Sequence, residues 1–180
     1  MGRPKALLMA ERAAAALAAA VERVILLGDG PVPAVLAHLE RVPDAPLGEA
    51  GAAGPLAGLL AALRRAPRAA WVLCPCDLPR VRPEAVRWLL AQRRPGRLAV
   101  LPRTVPGAPP EPLFALYEPE VAPAVEALAA AGGRAPRLLA ATAGVAVVDV
   151  PPELAACWRD ADTPDELAAA RPAGEGSAGR

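Results

Sequence analysis

The chain has 180 residues, 54% hydrophobic and 22% charged, with a formal net charge of +1. That length suits one domain with a sizeable core, and the near-neutral balance argues against an electrostatic nucleic-acid binder. No apolar run reaches the ~20 residues of a membrane helix, and Met1-Gly2-Arg3-Pro4-Lys5 leads into no secretory segment, so a cytoplasmic protein is expected. In chain order, a helical pattern over Glu11–Glu22 leads into the β-rich run Val24–Leu27, stopped by Gly28-Asp29-Gly30. Helices are expected over Pro33–Glu40 and Pro55–Arg65, then a strand over Ala70–Cys74 stopped by Pro75. A helix over Pro83–Arg93, strands over Leu98–Leu101 and Leu113–Tyr117, a helix over Pro119–Ala131 and a strand over Val145–Val150 follow. Several helices carry proline in the first turn, where a missing N–H costs nothing. Runs apolar at nearly every position fit strands covered on both faces. The alternation therefore predicts a single α/β domain with a mostly parallel sheet covered by helices on both faces, spanning residues 1–171, with 172–180 as a flexible tail.

Composition is skewed. Of 20 basic residues only Lys5 is lysine, there is no asparagine, and proline occurs 23 times. Such a chain fits a GC-rich coding sequence and, weakly, a heat-adapted protein. Three cysteines, Cys74, Cys76 and Cys157, do not make a disulfide scaffold. Cys74-Pro75-Cys76 has no matching second pair, so a structural zinc site is not expected and reduced thiols at the end of a buried strand are.

In sheets of this kind the working residues sit on loops at the strands' carboxyl ends. Leu73-Cys74-Pro75-Cys76-Asp77-Leu78-Pro79 delivers an acid from a buried strand into a proline-held turn. A single carboxylate there suits Mg2+, which takes one or two carboxylates and fills its shell with water and substrate phosphates. The structural alternative is a helix cap or Asx-turn. Gly54-Pro55-Leu56-Ala57-Gly58 opens a helix after a glycine-rich stretch; free N–H groups at a helix start can face an anion or a purine edge, and a tight packing turn explains the motif equally well. Lys5, after Gly2-Arg3-Pro4, suits a polyphosphate as a compact ammonium, against the ordinary reading of a surface lysine. Thr163-Pro164 with acids after it marks a helix start, and Asp160 and Asp162 point at a metal or at solvent. His38, the sole histidine, supports no Ser-His or Cys-His arrangement and is read as structural or surface.

In this order the four motifs resemble those of the molybdenum cofactor guanylyltransferases, within the nucleotidyltransferases with a Rossmann-like sheet. That family's pattern ends its first motif in M-G-x-x-K, matched by Met1 to Lys5. G-P-L-A-G stands intact at Gly54–Gly58 and C-P-C-D-x-P at Cys74–Pro79. Glu111-Pro112-Leu113-Phe114-Ala115-Leu116-Tyr117 is similar to a proline-led strand facing the nucleotide, and Asp160–Leu167 is similar to the terminal N-x-N-T-P-E-E-L.

The resemblance implies GTP and molybdenum-bound molybdopterin as substrates, with the guanine dinucleotide cofactor and pyrophosphate as products. It implies Mg2+ at Asp77, the triphosphate at Lys5 and Asp77, and the nucleotide at Asp44, Gly54 and Asp77, with Asp44 accepting from guanine or ribose. Partners that deliver the pterin and accept the product follow from it; nucleic acid and membrane do not. Cytidylyl transfer to molybdopterin, a sugar-phosphate nucleotidyl transfer and a non-catalytic nucleotide- or partner-binding role are the alternatives. The sequence departs from the pattern in three ways. The strand and L-A-G-G loop that come before the methionine in the family are absent, which leads to the expectation of a translation start upstream of Met1. The stretch after Leu8 is compressed, and aspartates replace the terminal asparagines.

Overall fold

The computed structural model describes residues 5–47 and 54–160. Its elements in order are helix α1 (Lys5–Ala18), strands β1 (Ile25–Leu27) and β2 (Glu40–Val42), helix α2 (Pro55–Arg65), strand β3 (Trp71–Leu73), helix α3 (Pro83–Ala91), strands β4 (Ala99–Arg103) and β5 (Ala115–Tyr117), helix α4 (Ala122–Ala130) and strand β6 (Val145–Asp149). Short stretches of 3-10 helix cover Ala34–Leu36, Pro119–Val121, Pro136–Ala141 and Ala155–Trp158. Among the described residues no helix is long and apolar enough to cross a membrane.

The sheet system follows from side-chain alternation. Along β4 and β5, Ala99, Leu101, Ala115 and Tyr117 enter one core with α2 and α4, while Val100 and Leu116 enter a second core with α1 and α3. Successive strand residues point to opposite faces, so apolar residues at every position demand cover on both sides. Helix α2 answers with Leu56, Leu59, Leu60 and Leu63, all nearly inaccessible. It starts on Pro55 at the first helical position and closes with Arg64 and Arg65 in its last turn, where cations complement the helix dipole. On the other face Trp158 stacks on Phe114 at 4.6 Å and donates from Nε1 to the Phe114 carbonyl at 2.8 Å. Trp88 meets Trp158 edge-on at 5.7 Å, a packing role as its helical position implies.

Three expectations are corrected. The larger sheet has the order β3-β5-β4-β6 and is mixed: β4 and β6 are parallel, but β5 runs antiparallel to both β3 and β4. A parallel return needs a crossover, usually a helix, and the connection between β4 and β5 contains none. The chain therefore turns back, with Tyr117 Oη donating to the Pro112 carbonyl at 2.6 Å. The helix expected over Pro33–Glu40 is one 3-10 turn, Ala34–Leu36, followed by β2, which pairs in parallel with β1. In that turn Leu36 is buried while Val35, Ala37 and His38 are exposed, so one apolar anchor supports no longer helix. The first helix also lies upstream of its expected bounds, at Lys5–Ala18 rather than Glu11–Glu22.

Edge strand β2 is held by charge. The Glu40 carboxylate accepts from Arg65 Nε at 2.5 Å and pairs with Arg23, tying β2 to α2 and to the approach to β1. The Arg65 hydrogen bond, aided by Arg23, holds the Glu40 carboxyl below its ordinary value of 4.5. A carboxyl lowered by folding contributes stability above its unfolded value and loses it as pH falls through the folded one. Melting temperature should thus fall on acidification below pH 4.5 less steeply in Glu40→Gln than in the parent, as thermal melts across pH would show.

Candidate active site

The first half of the site lies where β1 and β2 end. Gly28 leaves β1 at φ +86°, a conformation that favours glycine, and its N–H donates to the Val42 carbonyl at 2.9 Å. Arg41 clamps the loop, donating from Nε to the Gly28 carbonyl at 2.9 Å and from Nη2 to the Gly30 carbonyl at 2.8 Å. The chain leaving β2 is pinned to α2 by the Ala45 N–H, which donates to the Ala57 carbonyl at 3.2 Å. This fixes Asp44, which is half-buried, between two glycines. A Cβ on Gly28 would lie 3.6 Å from Asp44 Oδ1, and one on Gly58 would lie 3.4 Å from the same atom. Gly54 caps α2 at φ 147° and ψ 177° with no side-chain cap. The N–H groups of Leu56 and Ala57 precede the first helical hydrogen bond, which Gly58 makes to the Gly54 carbonyl at 3.1 Å.

The second half lies where β3 ends. Cys74 is half-buried, and desolvation pushes its thiol up to about 12, with Asp77 and Cys76 adding to the shift. Cys76 and Asp77 are exposed, while Leu78 and Pro79 are buried again. Arg12 of α1 ties the turn down by donating to the Pro79 carbonyl at 3.3 Å. Asp77 does not cap α3, whose N-cap is Arg82, and its carboxylate makes no hydrogen bond or ion pair among the described residues. A cleft of about 980 Å3 between β1 and β3 reaches Cys76 and Asp77 at its carboxyl-end mouth.

The structure thus joins Asp44 to Gly28 and to the start of α2 behind Gly54, and sets Asp77 at the mouth of the adjoining cleft. Lys5 is the first residue of α1; its side chain, together with Asp162 and the tail, lies outside the described residues. Asp160 acts elsewhere: partial burial first, then the Asp160 charge, pushes the Glu111 carboxyl up. The role of Arg41 was not legible in the sequence, because β2 was not; the glycines it clamps were the available signal.

Among the described residues no three His, Cys, Asp or Glu side chains converge as a metal cluster. One free, exposed carboxylate fits a hard divalent ion shared with substrate phosphates and does not fit a closed zinc site.

The family model of the MobA-like NTP transferase domain matches residues 1–172. The fold is shared with a crystallised Aquifex aeolicus VF5 protein at TM-score 0.74 and 19% identity, covering 88% of this chain and 81% of that one. Molybdopterin-guanine dinucleotide biosynthesis protein A from Archaeoglobus fulgidus aligns at TM-score 0.58 and 27% identity, covering 73% of this chain and 66% of that one. No curated protein matches the sequence at a significant level.

The two glycines of α2 should separate in a mutational test. Gly54→Ala forces a side chain into a φ of 147° and should cost about 1–3 kcal/mol of stability. Gly58→Ala meets Asp44 at ordinary contact distance, 3.4 Å, and gains helix propensity of up to about 1 kcal/mol. Urea unfolding should find it as stable as the parent or more so.

Proposed function

The chain belongs to the family of MobA-like NTP transferase domains, which makes it a nucleotidyltransferase, and we propose that it transfers GMP from GTP to molybdenum-bound molybdopterin. The observation that carries the reading is the unpartnered Asp77 carboxylate at the end of β3, in a C-P-C-D-x-P motif, at a cleft whose other wall includes β1 up to Leu27, the residue before the Gly28 that lies against Asp44. The 27% identity to a protein named for molybdopterin-guanine dinucleotide biosynthesis supports the choice of nucleotide and acceptor.

In this reading the terminal phosphate oxygen of the pterin attacks the α-phosphorus of GTP. A new P–O bond forms, the bridging bond to the β-phosphate breaks, and pyrophosphate leaves with the electron pair. No enzyme nucleophile is needed; positioning and electrostatics supply the acceleration. Asp44, held over the start of α2, accepts from guanine N–H groups or from ribose hydroxyls. Lys5 pairs with the triphosphate and offsets the charge that builds on the leaving group. Asp77 is the residue that would hold Mg2+, which supplies charge neutralisation at the phosphates when bound. A cytoplasmic setting and exchange with proteins that deliver the pterin and accept the product belong to the same reading.

Incubation with GTP or CTP, molybdenum-bound molybdopterin and Mg2+ tests it: release of pyrophosphate with GTP supports guanylyl transfer, and release with CTP alone replaces it by cytidylyl transfer. Asp77→Asn should lower turnover by at least about 100-fold, the scale of removing one strong electrostatic contact, with the melting temperature unchanged. Lys5→Arg keeps the charge but not the compact ammonium, and should lose most of the activity; parent-like rates would make Lys5 an ordinary surface residue.

A further inference from the structure

We propose that a cavity at the amino edge of the larger sheet, built around the turn Arg94-Pro95-Gly96-Arg97, is a second small-molecule site that takes a phosphate monoester carrying hydroxyl groups. The cavity measures about 410 Å3, and Arg93, Glu118 and Glu120 line it together with that turn. Its volume lies within the roughly 300–1,000 Å3 of ligand pockets. It is separate from the site described above. Strands β3 and β4 both run antiparallel to β5 and so point the same way. The residues ahead of β4 and those after β5 therefore meet at the sheet edge opposite Asp77.

Local sequence builds the frame. Helix α3 ends at Ala91 with Gln92 as its cap. Two residues later the chain reverses, and the Arg97 N–H donates to the Arg94 carbonyl at 3.1 Å. Proline at the second position of a turn and glycine at the third, here at φ +80°, are what a type II turn selects. Such a turn holds its first and fourth residues within about 7 Å, so Arg94 and Arg97 stand side by side on a stiff support. The Glu118 N–H, donating to the Leu98 carbonyl at 2.9 Å, fixes the opposite wall to the same strand entrance.

The three guanidiniums are not equivalent. Arg93 spends its Nε and Nη2 edge on the Glu118 carboxylate, at 2.6 and 2.8 Å. Glu118 is buried, so this pair is a neutral, fixed wall. Arg94 donates from Nη1 alone, to the Ala91 carbonyl at 2.9 Å and the Arg93 carbonyl at 2.7 Å. Arg97 also donates from Nη1 alone, to the Gln92 carbonyl at 2.5 Å. Both are anchored to the end of α3, and neither has a carboxylate partner among the described residues. Each keeps its Nε and Nη2 edge, the edge that Arg93 uses on Glu118, and that fork takes two oxygens of an oxyanion at once. Two such forks across one turn suit a phosphate, which offers three terminal oxygens, better than a carboxylate, which offers two. Glu120 makes no hydrogen bond or ion pair among the described residues. Its carboxylate repels a bare polyanion and accepts from hydroxyls, so the cavity selects a sugar or nucleoside phosphate over inorganic phosphate.

Amide NMR titrations of the full chain with ribose 5-phosphate, GMP and inorganic phosphate test the site. Ribose 5-phosphate should shift the Gly96, Arg97 and Leu98 amides saturably and bind more tightly than inorganic phosphate. Matching shifts with GMP extend the site to nucleoside phosphates, and shifts with ribose 5-phosphate alone mark a sugar phosphate. Arg94→Gln and Arg97→Gln should each weaken binding about 10-fold or more, the scale of one charge-assisted hydrogen bond. If Arg97→Gln lowers the melting temperature, the exposed Arg94→Gln decides. The absence of saturable shifts at these amides up to about 10 mM of every probe overturns the proposal, as does parent-like affinity in the glutamine variants. Inorganic phosphate binding as tightly as both esters overturns the choice of ligand. Shifts around Gly28 and Asp77 report on the transfer site instead, so the two readings fail separately.

Discussion

The interaction on which the rest of the molecule hangs is the two-sided burial of β4 and β5. Ala99 and Leu101 look one way and Val100 the other, and Ala115 and Tyr117 are likewise opposed by Leu116. Each full burial of a Leu or Val side chain is worth about 1.5–3 kcal/mol, and these strands collect it on both faces. Tyr117 is the largest member, completely buried, and its hydroxyl is satisfied by the Pro112 carbonyl. Burial also pushes its phenol well above the ordinary tyrosine range, so it stays neutral. Helices α2 and α4 on one side and α1 and α3 on the other are positioned by this alternation, and the loops at the strand ends inherit their places from the helices.

Local chemistry then shapes the site. Asp44 is fixed from three directions: by β2 before it, by the Ala45 hydrogen bond to Ala57, and by the bare backbone of Gly28 and Gly58. Asp77 is the opposite case, an acid left open between half-buried Cys74 and buried Leu78. In the proposed reading Asp44 recognises the nucleotide and Asp77 shares a ligand with it. That contrast suits nucleotidyl transfer, in which one end of the nucleotide is identified and the other carries the moving charge.

Much of this was readable from residues. Helix α2 has the bounds its sequence announces, because Gly54 and Pro55 start it and its leucines repeat on one face. Strands β1, β3 and β4 announce themselves as apolar runs ending in glycine, proline or charge. Strand β2 did not, since Glu40-Arg41-Val42 has one apolar residue and is stabilised by Arg23 and Arg65, which lie far away in sequence. The reversed direction of β5 was hidden for a related reason: it depends on a helix that is missing from a connection, and periodicity reports residues that are present. The Asp44 contacts with Gly28 and Gly58 were likewise tertiary, although Gly28 stood at the stop of β1 and Gly58 in the motif that opens α2.

The preference for arginine has a consequence for how the loops respond to their surroundings. Arg12, Arg41, Arg82 and Arg97 donate to the carbonyls of Pro79, Gly28 and Gly30, Glu153, and Gln92. These acceptors are neutral, so the ties that hold the loops owe little to long-range attraction between charges. Concentrated salt, which screens exposed ion pairs such as Arg64–Glu126, would leave those loops in register. Those loops tolerate ionic strengths at which the exposed pairs on Glu40 and Glu126 would slacken.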